Sequence, residues 1–326
     1  MTSMIRGVGL AVPEKLLTNS DLEKIVDTTD EWIKTRTGME VRHIAEEGRD
    51  TSDLAAEAVQ RALDDAGMTV SDLDAIIVAT VTGDMQFPST ACFVQDKLGA
   101  KQAAAFDIAA ACSGFIYALS IANGLIASGQ FRHIAVVGAE ILSRITDYED
   151  RATCVLFGDG AGAAIVAPAD GSGRGILDTY LRSDGSLHEL LYMPGGGTKY
   201  PASHKTVDEK YHYIKMEGRE VFKYAVTAMG EAAEYILERN GLSGDDVALL
   251  IPHQANSRII EATAKRVKIP PERVFVNIQK YGNTSAASIP IALAEAKQEG
   301  RLRPGDLVLL VAFGAGFTWG SALLRF

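Results

Sequence analysis

The amino-acid sequence predicts an α/β protein built from two copies of one unit. Three observations predict it. Helix-like segments alternate with short, wholly apolar strand-like runs; the order helix, strand, tight turn, helix, strand occurs twice; and the two occurrences lie 171–174 positions apart. A chain of 326 residues is long enough for two ordinary domains or one large two-part fold.

The elements follow in order. From Ala55, AAEAVQRALDDAG reads as a helix, then Ser71-Asp72, then the strand DAIIVATV. From Tyr224 a second helix ends in ERNG, followed by Ser243-Gly244-Asp245-Asp246 and the strand VALLIP, so that Ala66-Gly67 matches Asn240-Gly241 at an offset of 174. The next block begins at Ala104 (AAFDIAAACSGFIYALSIANGLIASGQFRHIAVVGAE), and its counterpart begins at Arg273 (RVFVNIQKYGNTSAASIPIALAEAKQEGRLRPGDLVLLVAFGAG). Each reads as a short strand, a tight turn, a helix with small residues at its start and a buried strand. Cys112 falls opposite Asn283 at an offset of 171, the offset that also relates the helix-ending glycines Gly129 and Gly300. Runs such as IIVATV, AVVGA, GAAIVA, ALLI and LVLLVAF are apolar at every position. Strands of that kind are covered on both faces, which predicts a largely parallel sheet. The halves are expected to divide into residues 1–172 and 173–326, at the loop APADGSGRG, and to pack about a pseudo-twofold axis. Residues 194–212 read as a surface excursion.

Composition narrows the function. Apolar residues make up 47% and charged residues 23%, as in ordinary globular proteins. No apolar run reaches a membrane span, and the N-terminal residues lack the apolar core of a secretion signal. Three cysteines cannot form a disulfide framework, which points to a reducing cytoplasm. A net charge of −10 argues against general nucleic-acid binding while leaving room for a local basic patch.

Chemistry concentrates where matching strands end, because a duplicated fold turns the loops after them toward one cavity. Cys112, in AAACSG, sits at the start of a helix, where free N–H groups and the positive dipole end favour a thiolate, the form that attacks a thioester. Taken alone it reads more simply as a buried structural cysteine. His253 closes the strand ALLIPHQAN and can present a neutral N–H to a developing enolate oxygen, though a packing role fits equally. Asn283 starts the matching helix, where asparagine is also a favoured cap. The Gly-rich AFGAGFTWGS allows close backbone approach, or is simply a hairpin between two strands. Cys92 lies in a helical pattern and Cys154 in a strand-like run, both without a role. FGDGAGA lacks full dinucleotide-motif spacing and leads into a strand.

Seven segments, TTDEWIKTRTGMEVRHIA, DIAAACSGF, RATCVLFGDGAGA, KMEGREVFK, IPHQAN, GNTSAAS and AFGAGFTWGSALLRF, stand in the order in which they occur in a known family. Across essentially its whole length the chain resembles the thiolase-like condensing enzymes of the β-ketoacyl-[acyl-carrier-protein] synthase III type. The resemblance implies a five-layered αβαβα fold, a homodimer and no cofactor, with acyl-CoA and malonyl-acyl carrier protein as substrates. It implies that Cys112 takes the acyl group from acyl-CoA, most simply acetyl-CoA, and that malonyl-acyl carrier protein then loses CO2 and attacks the acyl-enzyme. Cys112, His253 and Asn283 become the catalytic trio, with backbone N–H groups of Cys112 and Ala315 holding the oxyanion. Ala315 stands where the family usually has glycine. The resemblance further assigns CoA contacts to Thr28, Trp32, Arg36, Arg151 and Asn256. It assigns acyl-pocket positions to Phe87, Leu142 and Phe157, with Phe87 reaching across the dimer. A carrier-protein rim falls on Lys223, Arg258, Lys265 and Arg266.

Two related chemistries fit less well. A thiolase needs a second cysteine in the final Gly-rich turn, which has none. A chain-elongating synthase has a histidine where Asn283 stands. A secondary-metabolism relative using a longer acyl-CoA or another acceptor is the alternative enzyme, and a structural partner subunit the alternative without catalysis.

Overall fold

Two β-sheets separated by a layer of helices organise the chain; the computed structural model describes residues 2–326. The first half supplies β1 (Ser3–Ala11), α1 (Asp30–Thr37), α2 (Thr51–Ala66), β2 (Ala75–Ala79), α3 (Thr90–Leu98), β3 (Ala104–Ile108), α4 (Gly114–Ala127), β4 (Ile134–Ile141) and β5 (Asp159–Pro168). The second supplies β6 (Gly175–Ser183), α5 (Gly218–Arg239), β7 (Leu249–Pro252), α6 (Ser257–Arg266), α7 (Ser288–Gln298), β8 (Leu307–Gly314) and β9 (Thr318–Arg325). In space the first sheet runs β1-β5-β4-β2-β3 and the second β6-β9-β8-β7, the same order of equivalent strands. Where β3 stands in the first sheet, the second has only a bridge from Leu250 to Val274, so RVFVNI does not extend into a full strand.

Alternate residues along each strand reach different layers. Ile77, Val136 and Val166 of the first sheet pack with Ile251, Leu310 and Leu324 of the second around α4 and α7. Ile76, Val137 and Ile165 point outward under α2, and Leu250, Leu309 and Leu323 point outward under α5 and α6. The result is five layers, αβαβα. Both sheets are mixed rather than largely parallel: β1 and β4 run antiparallel to β5, and β9 runs antiparallel to β8 and β6. The apolar runs misled on direction because they report burial on both faces, and helices cover the antiparallel strands here as fully as the parallel ones.

The duplication is also offset differently at the site. Ala111 and Ser285 both take a left-handed backbone, with φ of 44° and 48°. Each opens a 3-10 turn, Ala111–Ser113 and Ser285–Ala287, that leads into α4 or α7. Ala111 and Ser285 are 174 positions apart, so Ala286, not Asn283, is the structural counterpart of Cys112. The offset of 171 belongs to the helix ends, because α4 has 14 residues and α7 has 11. Cys154 likewise ends a helical turn, Arg151–Cys154, rather than lying in a strand.

A smaller lobe, residues 16–43, docks on the first half through Arg42. That guanidinium is fully buried, with no carboxylate partner among the described residues. It donates to the carbonyl of Val155 (3.1 Å from Nε), to Asn19 Oδ1 (2.5 Å) and to the carbonyl of Glu40 (3.4 Å). This fixes the chain just before Phe157. No helix among the described residues is long and apolar enough to cross a membrane.

Candidate active site

Each candidate side chain stands at the end of a strand or the start of a helix, as the connectivity requires. Cys112 lies in the turn between β3 and α4, and Gly314, the last residue of β8, packs against its backbone. A Cβ on Gly314 would stand 2.6 Å from Cys112 N. Glycine is required there by space alone. Thr318 Oγ1 donates to the carbonyl of Ala110 (2.9 Å), and Ser113 Oγ donates to the carbonyl of Thr318 (3.0 Å), which ties the Gly-rich turn to the cysteine turn. That turn is indeed the hairpin loop between β8 and β9. Ala315 has no left-handed φ, so alanine fits in place of the family's glycine without backbone strain.

His253 follows β7 directly, its N–H bonded to the carbonyl of Val311 at 2.8 Å. Its Nδ1 is 2.7 Å from Ser288 Oγ at the start of α7. That hydroxyl also accepts from the N–H of Gln254 (3.5 Å) and has its own proton to give; when it donates to Nδ1, the ring hydrogen lies on Nε2. Burial pulls the imidazole down to about 3, so the ring is neutral at physiological pH. Asn283 is held by its backbone, which donates to the carbonyl of Leu156 (2.9 Å) and accepts from the N–H of Gly158 (3.1 Å). Its Oδ1 accepts from the N–H of Ser285 at 2.9 Å. That bond makes an Asx turn one residue ahead of Thr284, the true N-cap of the 3-10 turn, so Asn283 is not the helix cap its residue type suggested, and its amide nitrogen has no partner among the described residues.

Cys112, His253 and Asn283 together line one cavity of about 110 Å³, with Phe313 and Gly314 behind them. Cys112 and Phe157 also line a second, almost wholly apolar cavity of about 150 Å³, closed by Val81, Leu142, Ile145, Leu191 and Ile214. The two spaces meet at the sulfur-bearing residue. Burial pushes the thiol up to about 12, and the charge of Glu140 adds to it. The thiolate expected from the helix N-terminus is therefore not the resting form, because desolvation outweighs the short turn's dipole.

Other predicted positions distribute as follows. Leu142 and Phe157 are buried walls of the apolar cavity. Phe87 is 84% exposed and touches neither cavity in the single chain. Trp32 is 40% exposed, and the Arg151 guanidinium lies 5.6 Å from its ring centre. Thr28 has a buried hydroxyl without a partner among the described residues, and Arg36 is exposed. Asn256 lines the cavity of His253 and Asn283, but its amide caps α6 and donates to the carbonyl of Arg36 (2.9 Å), so both ends are engaged. Lys223, Arg258 and Lys265 are exposed. Arg266 is exposed too, but its guanidinium is engaged with α5, bonding Glu234 at 2.8 Å across Gly230.

Sequence reasoning missed several contributors. Leu191 and Ile214, flanking the 194–212 excursion, wall the apolar cavity, and the excursion is anchored by Lys210 on Asp147 (3.0 Å) and Glu149 (2.5 Å). It also missed Ser285, Ser288 and the buried Glu140. The acid at the end of the apolar run AVVGAE was the available signal, since an isolated charge there has to be buried.

A duplicated five-layer fold that brings a cysteine, a neutral histidine and an asparagine to one cavity beside an apolar pocket defines a class: the thiolase-like acyltransferases. The family model described as 3-Oxoacyl-[acyl-carrier-protein (ACP)] synthase III matches residues 106–185, and its C-terminal counterpart matches residues 237–326. The chain belongs to that family. It is 58% identical to beta-ketoacyl-[acyl-carrier-protein] synthase III of Caldanaerobacter subterraneus, over 98% of this chain and 97% of the relative. To the protein of the same name from Oleidesulfovibrio alaskensis it is 53% identical, over 99% and 98%. The crystal structure of 3-oxoacyl-[acyl-carrier-protein] synthase III from Aquifex aeolicus superposes with a TM-score of 0.92 at 52% identity, covering 99% of this chain and all of that one.

Proposed function

We propose that this protein carries out the initiating condensation of type II fatty acid synthesis, joining an acyl-CoA, in the simplest case acetyl-CoA, to malonyl-acyl carrier protein. One observation carries the reading: Cys112 lines both the cavity that holds His253 and Asn283 and the neighbouring apolar one. The acyl chain occupies the apolar cavity while its carbonyl is attacked by Cys112, and the N–H groups of Cys112 and Ala315 hold the oxyanion. CoA leaves. The malonyl thioester then enters the cavity of His253 and Asn283, where His253 Nε2–H and the free amide of Asn283 donate to its oxygen as CO2 departs. Such donors are worth roughly 3–4 kcal/mol each in comparable sites. A histidine neutral at physiological pH suits this donor role, since it need not give up a proton.

Trp32 and Arg151 would take the adenine, with Arg36 near the phosphates and Thr28 offering its unpartnered hydroxyl. Lys223, Arg258 and Lys265 are cations available to an acidic carrier protein, while Arg266 acts mainly as the clamp between α5 and α6. Phe87, exposed as it is, would be covered by a second copy of the chain.

The test is mass spectrometry of Cys112 after incubation with acyl-CoA, followed by addition of malonyl-acyl carrier protein. One acyl group should appear on Cys112 and be discharged with release of CO2. The His253→Ala variant should still acylate but fail to condense. An unlabelled Cys112 sinks the reading, and equal loss of both steps in the histidine variant sinks the assigned division of labour.

A further inference from the structure

The reaction proposed above leaves one proton without a carrier. Cys112 rests as a thiol, yet must lose its proton as sulfur attacks. His253, neutral and weakly basic through burial, is a poor acceptor.

Behind the apolar cavity lies Glu140, fully buried at the end of β4. Its carboxylate accepts from Thr80 Oγ1 (3.2 Å), from the N–H of Val81 (3.2 Å) and from Thr82 Oγ1. Among the described residues no cation pairs with it. The elements packed on it bring hydroxyls rather than charges, and Asp159 on neighbouring β5 is turned to Ala45 and Ser143. The titratable side chain that does face it is Cys112. Ser285 stands beside both: its 3-10 turn packs on the Cys112 turn and on Gly138, two residues from Glu140 on the same face of β4, and its hydroxyl lowers both the thiol and the carboxyl against the effect of burial. Ser285 is placed there by its left-handed backbone and lines the same cavity as the sulfur.

We propose that Glu140 is a positioning residue that receives the Cys112 proton through Ser285 during acylation. The sulfur forms its bond to the thioester carbon while the S–H proton passes to Ser285 Oγ and the Ser285 proton passes to Glu140. When the tetrahedral intermediate collapses, the carbon–sulfur bond to CoA breaks, and the CoA thiolate takes the proton back by the same relay. Glu140 ends as it began, and the products are acyl-Cys112 and free CoA thiol. Burial sets the carboxyl at about 7, the range in which an acceptor of this kind works best near neutral pH.

The inference rests on Cys112 being acylated, and the experiment separates the two. Single-turnover acylation of the full chain by acetyl-CoA is followed by mass spectrometry from pH 5.5 to 8.5, in the wild type and in Ser285→Ala, Glu140→Gln and Glu140→Asp. The wild-type rate should rise with pH through about 7 and then level. Ser285→Ala and Glu140→Gln should acylate about 100-fold more slowly and lose that step. Glu140→Asp should be slower but keep it. Ser285→Ala decides if Glu140→Gln folds poorly, since Ala111 shows that alanine tolerates this backbone geometry. Folded variants with wild-type rates or an unchanged pH profile overturn the relay. A wild type that never acylates overturns the reading of Cys112 instead.

Discussion

The Ser288 hydroxyl lies 2.7 Å from His253 Nδ1, a contact that fixes the plane of the ring and, when the hydroxyl donates, places the ring hydrogen on Nε2. Removing it frees Nδ1 and lets the ring rotate or change tautomer. Ser288→Ala should therefore lower the rate of condensation from pre-acylated enzyme by about tenfold or more, while acylation of Cys112 by acyl-CoA changes little. Stopped-flow release of CO2 from malonyl-acyl carrier protein, set beside the acylation rate, checks the split. Equal slowing of both steps would mean that the serine supports the turn as a whole and not the imidazole.

The neutral His253 also has a consequence for stability. Unfolded, the ring takes a proton as pH falls through about 6.5; folded, it does so only near 3. Between those values the unfolded state holds the extra proton, so acid favours unfolding, by up to about tenfold in the equilibrium per pH unit. Glu140 acts in the opposite sense between 4.5 and about 7, because there the native state holds the extra proton. Comparison with His253→Gln cancels that contribution. Urea unfolding at pH 6.5, 5.5 and 4.5 should show the variant losing less stability than the wild type as pH falls. Parallel curves would mean that the ring titrates normally in the fold.

Much of this was legible in the sequence, for identifiable reasons. The repeat, the strand positions and the placing of Cys112, His253 and Asn283 at element ends follow from periodicity and turn chemistry. The order of the sheets does not, because a fully apolar run reports two covered faces and is silent on strand direction. The register at Cys112 was misjudged by three residues, since the glycine caps lie at the far ends of two helices of unequal length. The resting thiol was out of reach for a different reason. A helix N-terminus is visible in AAACSG, but the depth of burial that opposes it comes from β4, β8 and the Ser285 turn, all distant in sequence. Glu140 was visible as a lone acid in an apolar strand, and only the fold shows what faces it.

Arg42 links stability to the site. Its guanidinium ties the lobe of residues 16–43 to the carbonyl of Val155, two residues before Phe157, and it is fully buried. Arg42→Met keeps much of the volume but strands the Val155 carbonyl and Asn19 Oδ1. The expected cost is about 3 kcal/mol, since each buried polar group left unsatisfied costs roughly 1–3 kcal/mol. Chemical denaturation should show the loss. Because the same lobe carries Thr28, Trp32 and Arg36, KM for acyl-CoA should rise as well. A variant of unchanged stability would mean that water or a rearranged Asn19 satisfies the carbonyl.

With the acyl chain in the apolar cavity, as proposed above, the size of that cavity would set acyl length, and Ile214, just after the 194–212 excursion, is one of its walls. It is buried against Leu142 and Phe157, with its N–H bonded to the carbonyl of Ile145 at 2.9 Å. That backbone bond survives truncation of the side chain, so Ile214→Ala should enlarge the cavity without releasing the excursion. Each methylene of an acyl chain gains about 0.8 kcal/mol on burial, close to fourfold in affinity. Room for two or three more carbons should shift kcat/KM by about 10- to 50-fold toward longer acyl-CoAs relative to acetyl-CoA. A panel of straight-chain acyl-CoAs from two to eight carbons measures this, scored by acylation of Cys112. An unaltered profile would place the limiting wall at Leu142, Phe157 or Phe87 of a neighbouring copy, because only a side chain that bounds the chain's path can change which length fits.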